Sequence, residues 1–352
     1  MKITPGTFQP IKGFFSLLVI YSHTRNLFGG IPPFSFQMHP WRGLLSFLLD
    51  ICFYTVMPGF FIICGYGFRK MSLRRLVRNN LLPVIKGYLI TAVILLVFAT
   101  LQAILLGRDI SQAVVPQFLG FVLMNLPTAT YFGVSVGDVG MMWFACVLVL
   151  DSILLNSILR LNSRWVQGAI CLVLAAAGVL LKDVRLPFCL QQTCVCCSFM
   201  YIGYMMRQEK LLEKKPPWYS AALVFLFFVY IVSMENHRID ISVNKYQNGL
   251  LGLITAWIIG TAMMYLFIHL SAHKGKWMDL LAWIGQNSFI VFCVHHVERQ
   301  LVNWNQLSSL VTDNRQLQQI VIFLLRTFIC LIITYIAVQC AAKVQLRTTR
   351  VS

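Results

Sequence analysis

Residues 11–28 read IKGFFSLLVIYSHTRNLF, an apolar run with Lys12 near its start and His23 eleven residues later. Eleven residues is about three helical turns, so the run predicts a helix that carries both groups on one face, roughly 16 Å apart along its axis. Its length suits a bilayer span. Ionisable groups inside a span are costly to keep in lipid and usually line a cavity or a substrate path.

The rest of the chain has the same character. Over 352 residues the hydrophobic content is 58% and charged residues make up only 12%, with a mean hydropathy of +0.73. That excludes a soluble domain with a polar surface and indicates a polytopic membrane protein. The net charge of +17 would suggest nucleic acid in a soluble chain, but the basic residues fall mostly between apolar runs. They read as topology determinants and anchors for anionic lipid head groups, and nucleic-acid binding is not expected. The N-terminal MKITPGTFQP has no apolar core, so no cleavable signal peptide is expected and the first span should remain in the mature protein. Eleven cysteines, an odd number at mostly intramembrane positions, argue against a disulfide framework. Cys189, Cys194, Cys196 and Cys197 lie in an apolar run without histidine or carboxylate partners, so they are expected to pack, and no metal is expected.

Apolar segments of spanning length occur at about 11–28, 44–68, 81–106, 141–160, 166–182, 187–206, 218–234, 249–271, 277–297 and 319–343. They predict an all-α fold of ten transmembrane helices forming a single membrane-embedded domain over residues 1–352. The shorter run Val114–Leu126, interrupted by Pro116 and followed by Pro127, is expected to be interfacial or re-entrant. With the N-terminus in the cytoplasm, 19 Lys and Arg fall inside (Lys2, Lys12, Arg69, Lys70, Arg74, Arg75, Arg78, Lys86, Arg160, Arg164, Arg207, Lys210, Lys214, Lys215, Lys274, Lys276, Lys343, Arg347 and Arg350) against 9 outside, with Arg326 within the last span. Both termini are therefore predicted to be cytoplasmic. Lys12 then marks the cytoplasmic end of its helix and His23 lies toward the outer half.

The cytoplasmic loop FRKMSLRRLVRNN is the densest basic stretch. Positive-inside anchoring alone would explain it; alternatively Arg74, Arg75 and Arg78, on adjacent helical positions, form a phosphate site. Within the spans the ionisable groups are His23, Asp50, Lys86, Asp151, His295, His296 and Arg326. Lys86 can snorkel to the interface. Asp50 and Asp151 are candidates to orient His23 or to pair with Arg326. His295 and His296 are adjacent, so at most one is expected to face a shared cavity. His23 differs in kind: a neutral imidazole in a partly dry cavity can take a proton from a hydroxyl. Acyl transfer from a thioester would also need a phosphate grip and an oxyanion stabiliser, and Trp143, Asn287 and Ser288 are the candidates for the latter.

The whole chain resembles the acyltransferase-3 family of integral membrane O-acyltransferases. The resemblance is carried by IKGFFSLLVIYSH (a basic residue, ten residues, then histidine), by FYTVMPGFFIICGYGF, RRLVRNNLLP and MMWFACVLVL, and by LAWIGQNSFIVFCVHH, in that order. It implies that His23 is the catalytic base, that Lys12 occupies the position of the family's arginine, and that Arg75 with Arg78 holds the phosphates of acyl-CoA. Lys12 lacks the arginine fork, Cys64 stands where the family has serine, and Pro83 follows Arg78 by five residues. The expected reaction moves an acyl group, acetyl foremost, from cytoplasmic acyl-CoA to a hydroxyl of an extracytoplasmic or lipid-linked carbohydrate, in a bacterial cytoplasmic membrane. The pantetheine arm would run along the first helix. The rival expectation is a secondary transporter or flippase using Asp50, Asp151, His23 and Arg326 as a relay, although no inverted repeat is evident.

Overall fold

The computed structural model describes residues 3–29, 40–184, 186–233, 239–270, 275–311 and 314–351. Lys2, Arg185, Arg238 and Lys274 of the charge count, and the expected span ends at residues 234 and 271, lie outside them.

The chain is mostly helical. In order the helices are α1 (Gln9–Leu27), α2 (Pro40–Gly67), α3 (Leu73–Leu76), α4 (Leu82–Leu105), α5 (Ile110–Val122), α6 (Trp143–Ile158), α7 (Arg164–Leu180), α8 (Leu190–Gln208), α9 (Trp218–Ser233), α10 (Gly249–Leu270), α11 (Lys276–Gln286), α12 (Ser288–Leu301), α13 (Trp304–Ser309) and α14 (Arg315–Val351). A π turn, Val77–Leu81, joins α3 to α4. The all-α expectation holds but for two small antiparallel hairpins, β1 (Ala129–Tyr131) with β2 (Val134–Val136) and β3 (Ile239–Asp240) with β4 (Lys245–Tyr246). The run 114–126, expected to be interfacial or re-entrant, lies largely on the short helix α5, capped by Asp109, which accepts from the Ser111 hydroxyl and N–H, both at 2.8 Å. Those bonds hold its carboxyl below the ordinary value.

Five helical stretches are long and apolar enough to cross a membrane: Ser46–Gly67, Leu73–Leu105, Gly140–Ile158, Gly249–His269 and Leu317–Lys343. A sixth arises if α11 and α12 count as one span bent by 74°. Helices also stand at the other expected places, but α7 and α9 are shorter. The helices α1 and α8, with 19 residues each, carry polar groups that α8 turns inward at Gln191, Gln192 and Thr193. The expected uninterrupted helix 277–297 is broken at Asn287. There the side-chain amide donates to Trp283 O at 2.9 Å, competing with the regular ladder, and the backbone leaves helical geometry (φ −103°, ψ 14°).

By internal contacts the chain forms two compact units, Met1–Phe8 with Pro32–Lys274 and Gln9–Ile31 with Gly275–Ser352. In the first, α8 packs on α2, α6 and α7. The helices α2 and α8 touch backbone to backbone: a Cβ on Gly65 would lie 1.9 Å from Met200 O, and one on Gly203 would lie 1.9 Å from Ile62 O. Small residues at such crossings are how helices approach closely where lipid removes the hydrophobic drive. In the second unit α1 packs on α11 in the same way, with the Gly13 Cβ position 2.0 Å from Leu281 O and that of Gly285 1.8 Å from Gln9 O. Ile20, Ile284, Val291 and Cys330 form its buried core, flanked by Leu17, Trp283, Val294 and Phe323.

Candidate functional site

The Gly13 and Gly285 contacts fix α1 on α11, and α1 then carries His23 to the edge of a buried polar cluster in the second unit. The His23 ring is half-buried, 5.5 Å from the His295 ring between centroids, at 51°. Lys12 sits half-buried on the first turns of the same helix.

The cluster is organised by Glu298. His295 and Glu298 are three residues apart on α12 and so share a face. His295 Nδ1 lies 2.6 Å from Glu298 Oε1. The same oxygen accepts from Arg326 Nε at 3.0 Å and Nη2 at 2.9 Å, and Trp304 Nε1 donates to Glu298 Oε2. Arg326 is completely buried on α14; its Nη1 donates to Thr24 Oγ1 at 3.2 Å, and its guanidinium carbon stands 5.4 Å from the Trp304 ring centre. Thr24 in turn donates to Ile20 O at 2.8 Å. Every guanidinium nitrogen thus has a partner, as a buried charge requires. Two imidazole nitrogens in the cluster have none among the described residues, His295 Nε2 and His296 Nδ1. His295, Glu298 and Cys330 each place a ligand-type atom within 4.8 Å of the others. At Glu298 Oε1 the positive charge is supplied by the Arg326 guanidinium.

The first unit carries the basic stretch. Arg74, Arg75 and Arg78 are exposed on α3 and the π turn. The segment leading into them is held by two anchors, the half-buried Arg207 and the buried Asn156. Arg207 on α8 donates to Phe68 O at 2.9 Å and Tyr66 O at 3.3 Å, and Asn156 on α6 both accepts from Met71 N at 3.0 Å and donates to Met71 O at 3.1 Å. A hydrogen-bonded base thus presents exposed cationic side chains to solvent, an arrangement suited to an anion.

Of the remaining expected residues, Asp50 on α2 and Asp151 on α6 are fully buried in the first unit. Neither oxygen of Asp151 has a hydrogen-bond partner among the described residues. The carboxylate that pairs with Arg326 is Glu298. Trp143 opens α6, buried among Phe61 and Phe144. Asn287 stands at the α11–α12 break with its amide committed to Trp283 O, and Ser288 begins α12. Cys189, Cys196 and Cys197 are buried thiols, with Cys189 Sγ donating to Met124 O at 2.9 Å.

Glu298, Thr24, Trp304 and Asn156 are not singled out by the sequence pattern. The readable signal for Glu298 was its place three residues after His295, which puts the carboxylate on the imidazole's face.

Comparison with curated proteins and with solved structures gives no match. A family model described as an acyltransferase domain, Acyl_transf_3, matches residues 10–338, from the start of α1 to within α14. That match runs through α1 with His23, the basic stretch, and the Glu298 cluster alike, so the chain belongs to the acyltransferase-3 family and is a membrane acyltransferase.

Proposed function

We propose that the protein is an O-acyltransferase, acetyl-CoA being its donor, that esterifies a hydroxyl of an extracytoplasmic or lipid-linked carbohydrate with His23 as the general base. The observation that carries this reading is the half-buried His23 imidazole beside a preorganised polar cluster, 5.5 Å from a second imidazole, on a helix fixed by backbone contacts. An imidazole there can take the hydroxyl proton as the oxygen attacks the thioester carbonyl, and the thiolate that leaves takes up the proton. Arg74, Arg75 and Arg78 offer guanidinium donors for the coenzyme phosphates, and Lys12 a further cation; the exposure of the three arginines supports this role. The family match spans both units, which supports treating residues 1–352 as one acyltransferase domain. Ten spans, both termini cytoplasmic, and a bacterial cytoplasmic membrane complete the reading, with anionic lipids on the basic side.

The test uses membranes of a host lacking other acyltransferases of this kind, given acetyl-CoA labelled in the acetyl group. Label should enter the alkali-labile glycan fraction and be lost with His23→Ala at equal protein level. Uptake of a solute without covalent transfer would favour transport; transfer unaffected by His23→Ala would remove the base assignment.

A further inference from the structure

With His23 as base and the exposed arginines as phosphate grip, acyl transfer still needs a donor for the oxygen that turns negative when the thioester carbonyl is attacked. The three residues expected for this from the sequence are placed otherwise. Trp143 is buried among the rings of Phe61 and Phe144. Asn287 donates its side-chain amide to Trp283 O at 2.9 Å, and it and Ser288 stand at the start of α12, roughly 10–12 Å along the axis from His295.

The other end of α12 is different. His295, Glu298 and Arg299 follow one another at i, i+3 and i+4, so they share one face of the helix, and His296 and Arg299 are three residues apart. His295 brings that face to α1, its ring 5.5 Å from the His23 ring between centroids. Arg299 stands one turn beyond His295, about 6 Å along the axis. It is exposed, where His295 and Glu298 are buried. It is also one of the groups that bear electrostatically on His23, with His295, His296 and Arg326.

These groups differ in what they can give a substrate. Arg326 commits its three nitrogens to Glu298 and Thr24, and Glu298 balances its charge. His295 Nδ1 is held to Glu298 at 2.6 Å. Arg299 presents five N–H donors in a planar fork, more than one partner uses, on a side chain that reaches solvent. A cation in the last turn of α12 is also favoured by the helix itself, whose terminal carbonyls carry partial negative charge.

Resting on the acyl-transfer reading above, we infer that Arg299 is the oxyanion donor, a catalytic residue that hydrogen-bonds the thioester carbonyl oxygen as the carbon becomes tetrahedral. In that step the substrate O–H bond breaks and its proton goes to His23. The hydroxyl oxygen forms the C–O bond to the thioester carbon, and the carbonyl electron pair moves onto the oxygen facing Arg299. The pair returns as the C–S bond breaks, and the leaving thiolate takes the proton from His23. Arg299 neither gains nor loses a proton. Its hydrogen bonds strengthen as the oxygen turns negative, so they favour the transition state over the bound thioester.

The experiment uses the full chain in membranes and acetyl-CoA labelled in the acetyl group, measuring transfer into the alkali-labile glycan fraction over a range of donor concentrations. Arg299→Ala is expected to lower the apparent Vmax about a hundredfold, with the apparent KM for acetyl-CoA within about twofold of wild type. Arg299→Lys keeps the charge without the fork and should recover about tenfold of that loss. Methylguanidinium added to Arg299→Ala membranes should restore part of the lost rate and leave the wild type unchanged. A Vmax for Arg299→Ala within about twofold of wild type overturns the inference. So does a raised KM at held Vmax, which would make Arg299 a donor-binding cation. A loss that neither lysine nor methylguanidinium relieves also overturns it, because a purely structural role predicts that result. If Arg299→Ala does not accumulate, Arg299→Gln takes its place, with a Vmax at least about tenfold down at unchanged KM expected and an unchanged Vmax overturning the inference. Absence of transfer by the wild type would instead sink the acyl-transfer reading.

Discussion

Arg326 and Glu298 meet as a buried ion pair, two guanidinium nitrogens on one carboxylate oxygen at 2.9 and 3.0 Å. The side chains are 0% and 4% exposed, so neither charge has water to fall back on. Removing one partner strands the other. Glu298→Ala or Arg326→Met alone is expected to destabilise the protein by about 3–5 kcal/mol, and the double variant to recover a substantial part. Unfolding of the extracted protein in denaturant, followed for the four members of the cycle, checks this. Strict additivity of the two losses would show that the pair is not coupled.

The crossing of α1 and α11 yields a second expectation. A side chain at Gly13 would begin 2.0 Å from Leu281 O, where only backbone could yield. Gly13→Val should separate the helices, move His23 off its neighbour, and abolish transfer along with much of the stability. Gly67→Ala, where an added Cβ meets nothing within 4 Å, should leave both unchanged. Melting temperature and label transfer, measured together, distinguish these cases.

For the basic stretch the expected effect is on donor affinity. Arg75→Ala and Arg78→Ala remove exposed charges and should raise the apparent KM for acetyl-CoA about tenfold, the loss of one charged hydrogen bond, with Vmax and thermal stability held. Dephospho-coenzyme donors should show a smaller penalty in the variants than in the wild type. An equal penalty would place the phosphates elsewhere.

Asn156 offers a subtler handle on the same loop. Its amide satisfies both the N–H and the carbonyl of Met71, three residues before Arg74. Asn156→Leu strands both groups at a cost of about 1–3 kcal/mol and should loosen the segment, so that the donor KM rises although no arginine has changed. Faster amide hydrogen exchange confined to the loop, against exchange as in the wild type, decides it.

How much of this was legible in the sequence depends on which physical effect set each feature. The helix carrying Lys12 and His23 was readable because apolar length and the spacing of two polar residues are properties of the chain itself. The break at Asn287 was not, because the same residues fit an unbroken apolar span and only the side-chain bond to Trp283 O decides against it. Arg326 announced itself as a charge in the last span, but the sequence offered only Asp50 and Asp151 as its partners, and the fold supplies Glu298 instead. Glu298 sits near the end of its apolar run, where a carboxylate looks solvent-facing. Tertiary contact with α13 and α14 buries it, and that contact is non-local information.

The glycine contacts also have a mechanical consequence. Because α1 meets α11 through main chain at Gly13 and Gly285 as well as through the core side chains Ile20 and Ile284, the two helices cannot slide past each other by repacking rotamers alone. A thinner or thicker bilayer would therefore tilt them together as one rod, leaving the register between Gln9 and Gly285 intact. The height of the imidazole within its own unit is thereby set by that backbone contact, and should be indifferent to lipid composition.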